Sequence, residues 1–158
     1  MTSLSSSEQR VADALARHGL GTAVTILATP ATTAQMAAEA IGVEVARIVK
    51  SLIFRGTDSG TPCLLLVSGA NRVHEKRTGR QLGEKLERAD VDFVRAITGF
   101  PIGGVSPLGH PAPIRTVIDQ TLFDFDTVWA AAGTPRAVFE TTPIDLQRCT
   151  QAVRMDVT

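Results

Sequence analysis

Residues 48–68 read IVKSLIFRGTDSGTPCLLLVS, and this stretch decides the fold class of the chain. Two largely apolar runs, at residues 50–54 and 63–68, flank a short segment rich in Gly, Asp and Ser. Runs of Ile, Val, Leu and Phe on either side of such a segment are typical of a β-hairpin. We therefore expect two antiparallel strands joined by a turn at residues 56–60.

Short helices are predicted before this hairpin. Ser5 followed by Glu8 has the spacing of a capping box, in which each side chain bonds the other residue's backbone N–H at the start of a helix. Thr32 followed by Gln35 repeats that spacing. We expect helices over about residues 6–18, 32–42 and 43–49, and a strand over residues 23–27.

The part of the chain after the hairpin contains more strand-like segments. Asp90 is a typical N-cap, and Gly83 and Gly99 are typical residues at helix ends. We expect helices over residues 75–82, over residues 91–98 and from Pro143 onward, and strands over residues 85–88, 114–119, 127–131 and 136–141. Because helices and strands do not alternate strictly, the pattern favours an α+β domain with a curved mixed sheet and helices packed outside it.

The composition fits one globular domain. A length of 158 residues predicts a single domain, residues 1–158, and a hydrophobic content of 44% supplies a sizeable core. The formal net charge is zero. That balance argues against a protein that grips a long stretch of nucleic acid, but not against one that binds a short end.

The cellular setting is indicated by the cysteines and by the start of the chain. Cys63 and Cys149 offer neither a disulfide framework nor a metal-ligand spacing, which is typical of a reducing compartment. The polar, Ser-rich residues 1–8 lack the apolar core of a signal peptide, and no apolar run approaches the length that spans a membrane. We therefore expect a cytoplasmic protein that does not bind membranes.

The longest irregular segment, residues 100–113, begins with FPIGGVSPLG. Gly103 and Gly104 let the backbone approach a ligand closely, and Pro107 restricts the path of the chain. Such an uncharged loop suits the recognition of a carbonyl group by backbone N–H groups. An ordinary rigid surface loop would have the same composition.

Lys50 is the one charged residue within residues 48–54. Strand alternation places it on the same face as Leu52 and Phe54. If that face is buried, the ammonium must lie in a cleft, where it suits a phosphate or a developing negative charge. The alternative is a lysine that extends its ammonium to solvent from the end of a strand.

Basic residues cluster soon after the hairpin. The cluster consists of Arg72, Lys76, Arg77 and Arg80, with Glu75 as the one acid among them. These side chains suit contacts with a few phosphates at the end of an RNA. The alternative is the solvated face of a helix.

Two further polar residues are candidates for substrate contacts. Asp119 ends an apolar run and suits a hydroxyl or an amine, although an aspartate at this position also caps turns. His110 follows the glycine-rich stretch and suits either a substrate or a turn. The sequence has no nucleophile elbow, phosphate loop, CxxC or HExxH motif, so we expect neither a metal nor a cofactor.

Three segments together resemble the YbaK/ProX family of freestanding aminoacyl-tRNA deacylases, which is related to the editing domain inserted in bacterial prolyl-tRNA synthetases. They are residues 48–54, residues 98–109 and residues 117–119. The resemblance covers about residues 22–146. It implies a mixed sheet that tends towards a barrel, with short helices packed around it.

The resemblance also implies a site and a reaction. Lys50 matches the lysine of the family, and residues 103–107 match its G-x-x-x-P loop. By this resemblance the catalytic elements, Lys50 and Gly103, share one cleft and act on the ester between an amino acid and the terminal ribose of tRNA. The expected substrate contacts are Ser51, Gly104, Val105, Ser106, Pro107, His110 and Asp119.

The implied protein is a trans-editing factor that removes a small amino acid from tRNA(Pro), with aminoacyl-tRNA as its partner and a synthetase as a second candidate partner. No general base is evident in the sequence, which agrees with a substrate-assisted route in which the protein supplies positioning and electrostatics. Two alternatives stay open: a non-catalytic module of the same fold that binds tRNA ends or another protein, and a Schiff-base enzyme that uses Lys50.

Overall fold

The computed structural model describes residues 3–158, so the first two residues of the predicted domain and of its Ser-rich start lie outside the described residues. The helices are α1 (Ser6–Arg17), α2 (Ala34–Ile41), α3 (Glu75–Leu82), α4 (Val91–Thr98) and α5 (Pro143–Thr150). The strands are β1 (Thr25–Ile26), β2 (Ile48–Gly56), β3 (Pro62–Ser68), β4 (Leu86–Arg88), β5 (Arg115–Asp119), β6 (Val128–Ala131), β7 (Ala137–Thr141) and β8 (Val153–Met155). Short 3₁₀ helices span Val45–Arg47 and Gln120–Asp124. Over this described range, every helix is too short to cross a membrane.

One mixed sheet contains eight strands in the order β1-β7-β6-β2-β3-β5-β8, and β4 pairs with the end of β2. β2 and β3 form the predicted antiparallel hairpin, from Val49 opposite Ser68 to Arg55 opposite Pro62. β6 runs parallel to β2, and β5 runs parallel to β3. The predicted α+β class and mixed sheet are confirmed, and within residues 3–158 the sheet stays open rather than closing into a barrel.

The hairpin is buried on both faces, which explains why its apolar runs are nearly continuous. Leu64 and Leu66 point to one face, where they pack in the main core with Phe139 of β7. Leu65 and Val67 point to the other face and belong to a second buried cluster. The central strands are therefore fixed in register by two sets of alternating side chains.

Several helix ends lie where the sequence predicts them because they are encoded locally. The Asp90 side chain accepts a hydrogen bond from the Phe93 N–H at the start of α4, and Gly99 ends that helix with φ +73°. Ser5 and Glu8 form the predicted capping box of α1. α3 also has the predicted bounds.

Other local predictions were wrong. The helix predicted over residues 43–49 is only the 3₁₀ turn Val45–Arg47, because the two β-branched residues that follow pair with β6 as part of β2. Thr33 rather than Thr32 caps α2, with its side chain accepting a hydrogen bond from the Met36 N–H. β1 has 2 residues instead of the predicted five. The sequence pattern does not predict β8, which pairs with β5.

Candidate active site

A cavity of about 540 Å³ opens beside the middle of β2. Its walls come from β2, β6, β7, one face of α2 and the glycine loop, which we define as residues 100–109. The volume lies in the range of small-molecule sites. Lys50, Ser51, Gly103 and Val105 line this cavity, so the structure brings together four of the residues that the sequence assigns to a site.

The cavity lies where the sheet is interrupted along one edge of β2. On the side away from β3, β2 pairs with β6 only as far as Val49 and with β4 only from Phe54 onward. The bond from the Gly69 N–H to the Ile48 C=O shows, by strand alternation, that the backbone groups of Ser51 point away from β3. Among the paired strands of residues 3–158, the Ser51 N–H and C=O therefore have no strand partner and are available to a ligand.

Lys50 lies at this interruption and is half-buried. Its Nζ donates a hydrogen bond to the backbone oxygen of Asn71, in the turn after β3. Burial lowers the pKa of Lys50, the guanidinium of Arg72 lowers it further, and the carboxylate of Asp119 acts in the opposite direction. Of the two interpretations of Lys50, the geometry matches the cation in a cleft rather than the one extended to solvent.

Asp119 is completely buried and does not line the cavity. Its Oδ2 accepts hydrogen bonds from the Ser68 N–H at 3.1 Å and from Asn71 Nδ2 at 2.9 Å. Its Oδ1 accepts one from the Thr121 N–H at 2.9 Å. The direct substrate contact expected of Asp119 has no support in this geometry, whereas the alternative role of capping a turn does.

The two neighbouring glycines of the glycine loop, Gly103 and Gly104, have different structural roles. Gly103 lines the cavity with φ +87°, a conformation that L side chains rarely adopt. Within the described residues its N–H has no backbone acceptor, so it is free to bond a ligand oxygen. Gly104 does not line the cavity, and a Cβ there would lie 2.5 Å from the Cα of Thr134. Gly104 is therefore needed for close packing between two backbone segments.

The rest of the glycine loop is buried outside the cavity. Ser106 and Pro107 are both buried. The Ser106 Oγ accepts a hydrogen bond from the Leu108 N–H at 3.3 Å, and its carbonyl accepts one from His110 Nε2 at 2.7 Å. Burial is the main cause that lowers the pKa of His110. Ser106, Pro107 and His110 thus brace the loop in this structure, and the substrate contacts expected of them have no geometric support.

An ion pair between a buried carboxylate and a partly exposed arginine, which is not evident from the sequence, braces the far side of the glycine loop. The Glu8 side chain is completely buried, accepts a hydrogen bond from Thr134 Oγ1 and pairs with Arg136 at 2.7 Å. The hydrogen bond from Arg136 is the main cause that lowers the pKa of Glu8 to about 2. Thr134 in turn lines the cavity and packs against Gly104. Through Glu8, α1 fixes one wall of the cavity.

Two buried polar atoms of the cavity lining, Ser51 Oγ and Trp129 Nε1, have no hydrogen-bond partner within residues 3–158. A buried polar group without a partner costs about 1–3 kcal/mol, so such atoms in a cavity indicate contact with a ligand or water. Ser51 is among the predicted site residues, whereas Trp129 is not. A single Trp in an apolar strand gives no signal in the sequence, because only the fold shows whether its N–H has a partner.

The predicted RNA-contact residues lie outside the cavity, and all of them are exposed: Arg72, Lys76, Arg77 and Arg80. Arg77 already pairs with Asp156 at 2.8 Å. Arg72 lies close enough to Lys50 to lower its pKa. Arg88, which is not among the predicted site residues, contributes to the cavity lining with a side chain that is 80% exposed, and its Nε lies 3.7 Å from Glu75 Oε2. Arg72 therefore brings positive charge to the neighbourhood of the opening, whereas Glu75 partly offsets the charge of Arg88.

The electrostatics of the cavity suit an anion or a developing negative charge. Lys50 and Arg88 are the charged residues of its described lining, and both are cationic. That lining contains neither a carboxylate nor a histidine to act as a general base. Among the described residues, no group of three or more His, Cys, Asp or Glu side chains is placed to bind a metal. The arrangement can bind and polarise an ester.

The chain is similar to proteins that act on aminoacyl-tRNA. Residues 28–149 match the family model described as the aminoacyl-tRNA editing domain. A solved structure described as a proposed trans-editing enzyme for prolyl-tRNA synthetase has a TM-score of 0.92 and 44% identity, and the match covers 99% of each chain.

Two curated relatives extend this comparison. The proposed Cys-tRNA(Pro)/Cys-tRNA(Cys) deacylase EbsC of Enterococcus faecalis is 28% identical over 102 residues, which are 64% of this chain and 62% of EbsC. The proline–tRNA ligase of Lactobacillus helveticus is 30% identical over 124 residues, which are 77% of this chain and 22% of the ligase.

The family match includes both predicted catalytic elements. Lys50 and the glycine loop lie within residues 28–149, whereas α1 and its Glu8 lie before them. The chain therefore belongs to the aminoacyl-tRNA editing domain family, as its sequence predicts, and is an aminoacyl-tRNA deacylase.

Proposed function

We propose that the chain is a trans-editing factor that hydrolyses the ester of a small amino acid wrongly attached to tRNA(Pro). The observation that carries this proposal is that Lys50 and Gly103 line one cavity, whose charged lining residues are all cationic. The names of two relatives support the choice of tRNA, since one refers to prolyl-tRNA synthetase and the other to Cys-tRNA(Pro). Charged tRNA as the substrate makes the cytoplasm the proposed location.

Lys50 binds the oxygen atoms at the reacting end of the tRNA. A lysine ammonium has three donors, and one of them bonds to the Asn71 carbonyl. Within residues 3–158 the other two donors have no protein partner, so they can bond to the terminal phosphate or the ester oxygen. Because the ammonium is half-buried, its attraction for a developing oxyanion is stronger than it would be in water.

The glycine loop positions the aminoacyl group on the opposite side of the ester. The Gly103 N–H has no backbone acceptor among the described residues, so it can donate to the ester carbonyl. The unpaired Ser51 Oγ and Trp129 Nε1 can bond to other polar atoms of the same substrate. The described lining holds no carboxylate or histidine, so the vicinal ribose hydroxyl of the substrate orients the attacking water. As the water oxygen bonds to the carbonyl carbon and the ester C–O bond breaks, that hydroxyl relays a proton from the water to the departing ribose oxygen.

Selectivity for a small amino acid follows from the residues around the glycine loop. Val105, Ala130 and Ala137 line the cavity and belong to the main core, so they give little when a larger side chain enters. One methylene in an apolar pocket changes binding by only about 1–3 kcal/mol, which explains why a synthetase needs a second site to remove small errors. We expect esters of Ala, Ser, Cys or Thr to be cleaved and prolyl-tRNA to be excluded by its shape.

The test is deacylation of a panel of mischarged tRNA(Pro) species by the wild type, by Lys50→Ala and by Lys85→Ala. Lys85 is exposed and does not line the cavity, which makes it the matched control. We expect at least about a hundredfold loss of rate in Lys50→Ala and less than a twofold change in Lys85→Ala.

The other results of this assay separate the alternatives. Retention of tRNA without release of an amino acid would indicate a binding module. A borohydride-trapped adduct on Lys50 would indicate Schiff-base chemistry. Equal cleavage of one amino acid from tRNA(Pro) and from a second tRNA charged with it would contradict the choice of tRNA(Pro) while keeping the reaction.

A further inference from the structure

The backbone of Asn71 is the hydrogen-bond partner of the Lys50 ammonium. Asn71 lies in the turn between β3 and α3, where its N–H bonds to the Ser68 C=O at 2.9 Å. Its own carbonyl accepts the hydrogen bond from Lys50 Nζ. A lysine side chain has four rotatable bonds and loses about 2 kcal/mol of conformational entropy when it is fixed, so the position of this carbonyl determines where the ammonium stays.

The side chain of Asn71 anchors that turn to the neighbouring strand. Asn71 Nδ2 donates hydrogen bonds to Asp119 Oδ2 and to Thr121 Oγ1, both at 2.9 Å. Asp119 is itself fixed, because it is completely buried and also accepts the backbone N–H groups of Ser68 and Thr121. A chain of hydrogen bonds thus runs from a buried carboxylate, through one amide side chain, to the cation in the cavity.

We propose that Asn71 is a positioning residue for deacylation, because its side chain, fixed by Asp119 and Thr121, sets the carbonyl that aims the Lys50 ammonium into the cavity. This inference rests on the proposed function, in which Lys50 acts on the ester. It gives Asp119 a role without substrate contact: Asp119 anchors Asn71, and Asn71 orients Lys50.

The chain also explains why a costly buried carboxylate lies near the site. A buried charge is tolerated when several hydrogen bonds satisfy it, and Asp119 has three such donors. Two of these donors are backbone groups of the turns that Asp119 joins, and the third belongs to Asn71. The carboxylate therefore connects the end of β3 to the start of the 3₁₀ helix Gln120–Asp124.

Steady-state deacylation by Asn71→Ala tests the proposal. Displacement of a catalytic group by about 1 Å lowers rates as much as 100-fold, so we expect kcat to fall by about 10- to 100-fold. KM should stay within about threefold, because the cavity walls that bind the aminoacyl group are unchanged. Unchanged kcat in a folded Asn71→Ala protein would overturn the proposal.

A matched pair of threonine variants distinguishes a loss of Lys50 positioning from a general loss of stability. Thr121→Val removes one acceptor of the Asn71 amide and keeps the shape of the side chain. Thr116→Val, on β5, removes a hydroxyl whose partner in the described part of the chain is the nearby Ile114 carbonyl. We expect kcat to fall in Thr121→Val and to stay unchanged in Thr116→Val. Equal effects of the two substitutions would reduce the role of Asn71 to stability and overturn the proposal.

A spectroscopic measurement reports on Lys50 directly. The chain contains three lysines, so reductive methylation with ¹³C-formaldehyde gives few signals, and Lys50→Arg assigns the one from Lys50. We expect the ¹³C shift of the Lys50 methyl groups to move towards those of the two exposed lysines in Asn71→Ala and Thr121→Val, but not in Thr116→Val. An unmoved Lys50 signal in both Asn71→Ala and Thr121→Val would contradict the positioning role.

Failure of this inference and failure of the proposed function have different signatures. If the wild type releases no amino acid from mischarged tRNA(Pro), the proposed function is wrong, whatever Asn71→Ala does. If Lys50→Ala keeps full deacylation, the role of Lys50 is wrong, and the positioning role of Asn71 fails with it. If Lys50→Ala loses activity and Asn71→Ala keeps it, only the positioning role is wrong.

Discussion

The two walls of the cavity are built in different ways. The lysine wall is local: Lys50 lies on β2, its acceptor Asn71 follows β3 in the same hairpin, and Asp119 comes from the adjacent strand. The glycine wall, formed by the glycine loop and Thr134, combines segments that are distant in sequence, since Thr134 Oγ1 bonds to Glu8, 126 residues away. Each wall is nevertheless held by one completely buried carboxylate, Asp119 for the lysine wall and Glu8 for the glycine wall.

This difference teaches which property each wall controls. The lysine wall presents a charge and orients it through a chain of hydrogen bonds, so substitutions there should change the chemistry first. The glycine wall presents backbone groups and depends on close packing and on the ion pair between Glu8 and Arg136, so substitutions there should change stability first.

Loss of the Glu8 carboxylate should have the largest effect on stability. Glu8→Ala removes the charged hydrogen-bond partner of Arg136 and half of the α1 capping box, so we expect the free energy of unfolding to fall by about 2–4 kcal/mol. Urea denaturation measures this change, with the exposed Glu39→Ala as the control. A change below about 0.5 kcal/mol, as is usual for surface sites, would mean that the glycine wall does not depend on α1.

Alanine at each of the two glycines should separate packing from chemistry. In Gly104→Ala the new Cβ meets the Thr134 backbone at 2.5 Å, so we expect a loss of about 2–3 kcal/mol of stability. In Gly103→Ala the Cβ meets only ordinary contacts from 3.5 Å outward, and the cost comes from φ +87°, at about 1–2 kcal/mol. Deacylation, however, should fall more steeply in Gly103→Ala, because that residue lines the cavity. The reverse order of the two stability losses would show that the wall relaxes around Gly104.

The pH dependence of stability should identify the Glu8 contribution. The pKa of Glu8 is about 2 in the folded protein against an ordinary value of 4.5, so its stabilisation is fully present above pH 4.5 and is lost as the pH falls towards 2. Glu8→Gln lacks this contribution at every pH. We therefore expect the difference in unfolding free energy between the wild type and Glu8→Gln to shrink between about pH 5 and pH 2. Asp156, whose pKa is also lowered to about 2, titrates in both proteins and cancels. A difference that stays constant with pH would contradict this assignment.

Trp129→Phe should have the smallest effect and should act on binding. The substitution removes the unpaired indole N–H and keeps an aromatic ring in the cavity. If the N–H bonds to the substrate, KM should rise about fivefold with kcat nearly unchanged, which corresponds to a net hydrogen bond of about 1 kcal/mol. Apparent KM values for one cleaved aminoacyl-tRNA measure this change. A lower KM in Trp129→Phe would show that the N–H is not used.

Much of the fold is readable from the sequence because its determinants are local. The hairpin is predicted from two apolar runs and the turn between them, and α4 is predicted from its N-cap Asp90 and its terminal Gly99. β8 escapes prediction because its strand character depends on pairing with β5, which lies far from it in sequence. The helix predicted over residues 43–49 fails for a related reason, since pairing with β6 overrides helix propensity there.

The same distinction applies to the candidate site. Lys50 and Gly103 stand out because a charge in an apolar strand and a glycine pair in a long loop are local anomalies. The brace formed by Glu8 cannot be read locally, because the sequence shows only its capping box and not its partners near residue 134. Trp129 is missed because an unpaired donor is a property of the packed cavity.

The interruption of the sheet beside β2 has a consequence for amide exchange. A central strand normally protects its amides from solvent deuterium until it opens, yet the register leaves the Ser51 N–H without a strand partner among the described residues. This amide should exchange far faster than those of its neighbours Lys50 and Leu52, which face β3. A ligand in the cavity would cover the Ser51 amide and slow its exchange, so deuterium exchange at Ser51 reports ligand binding.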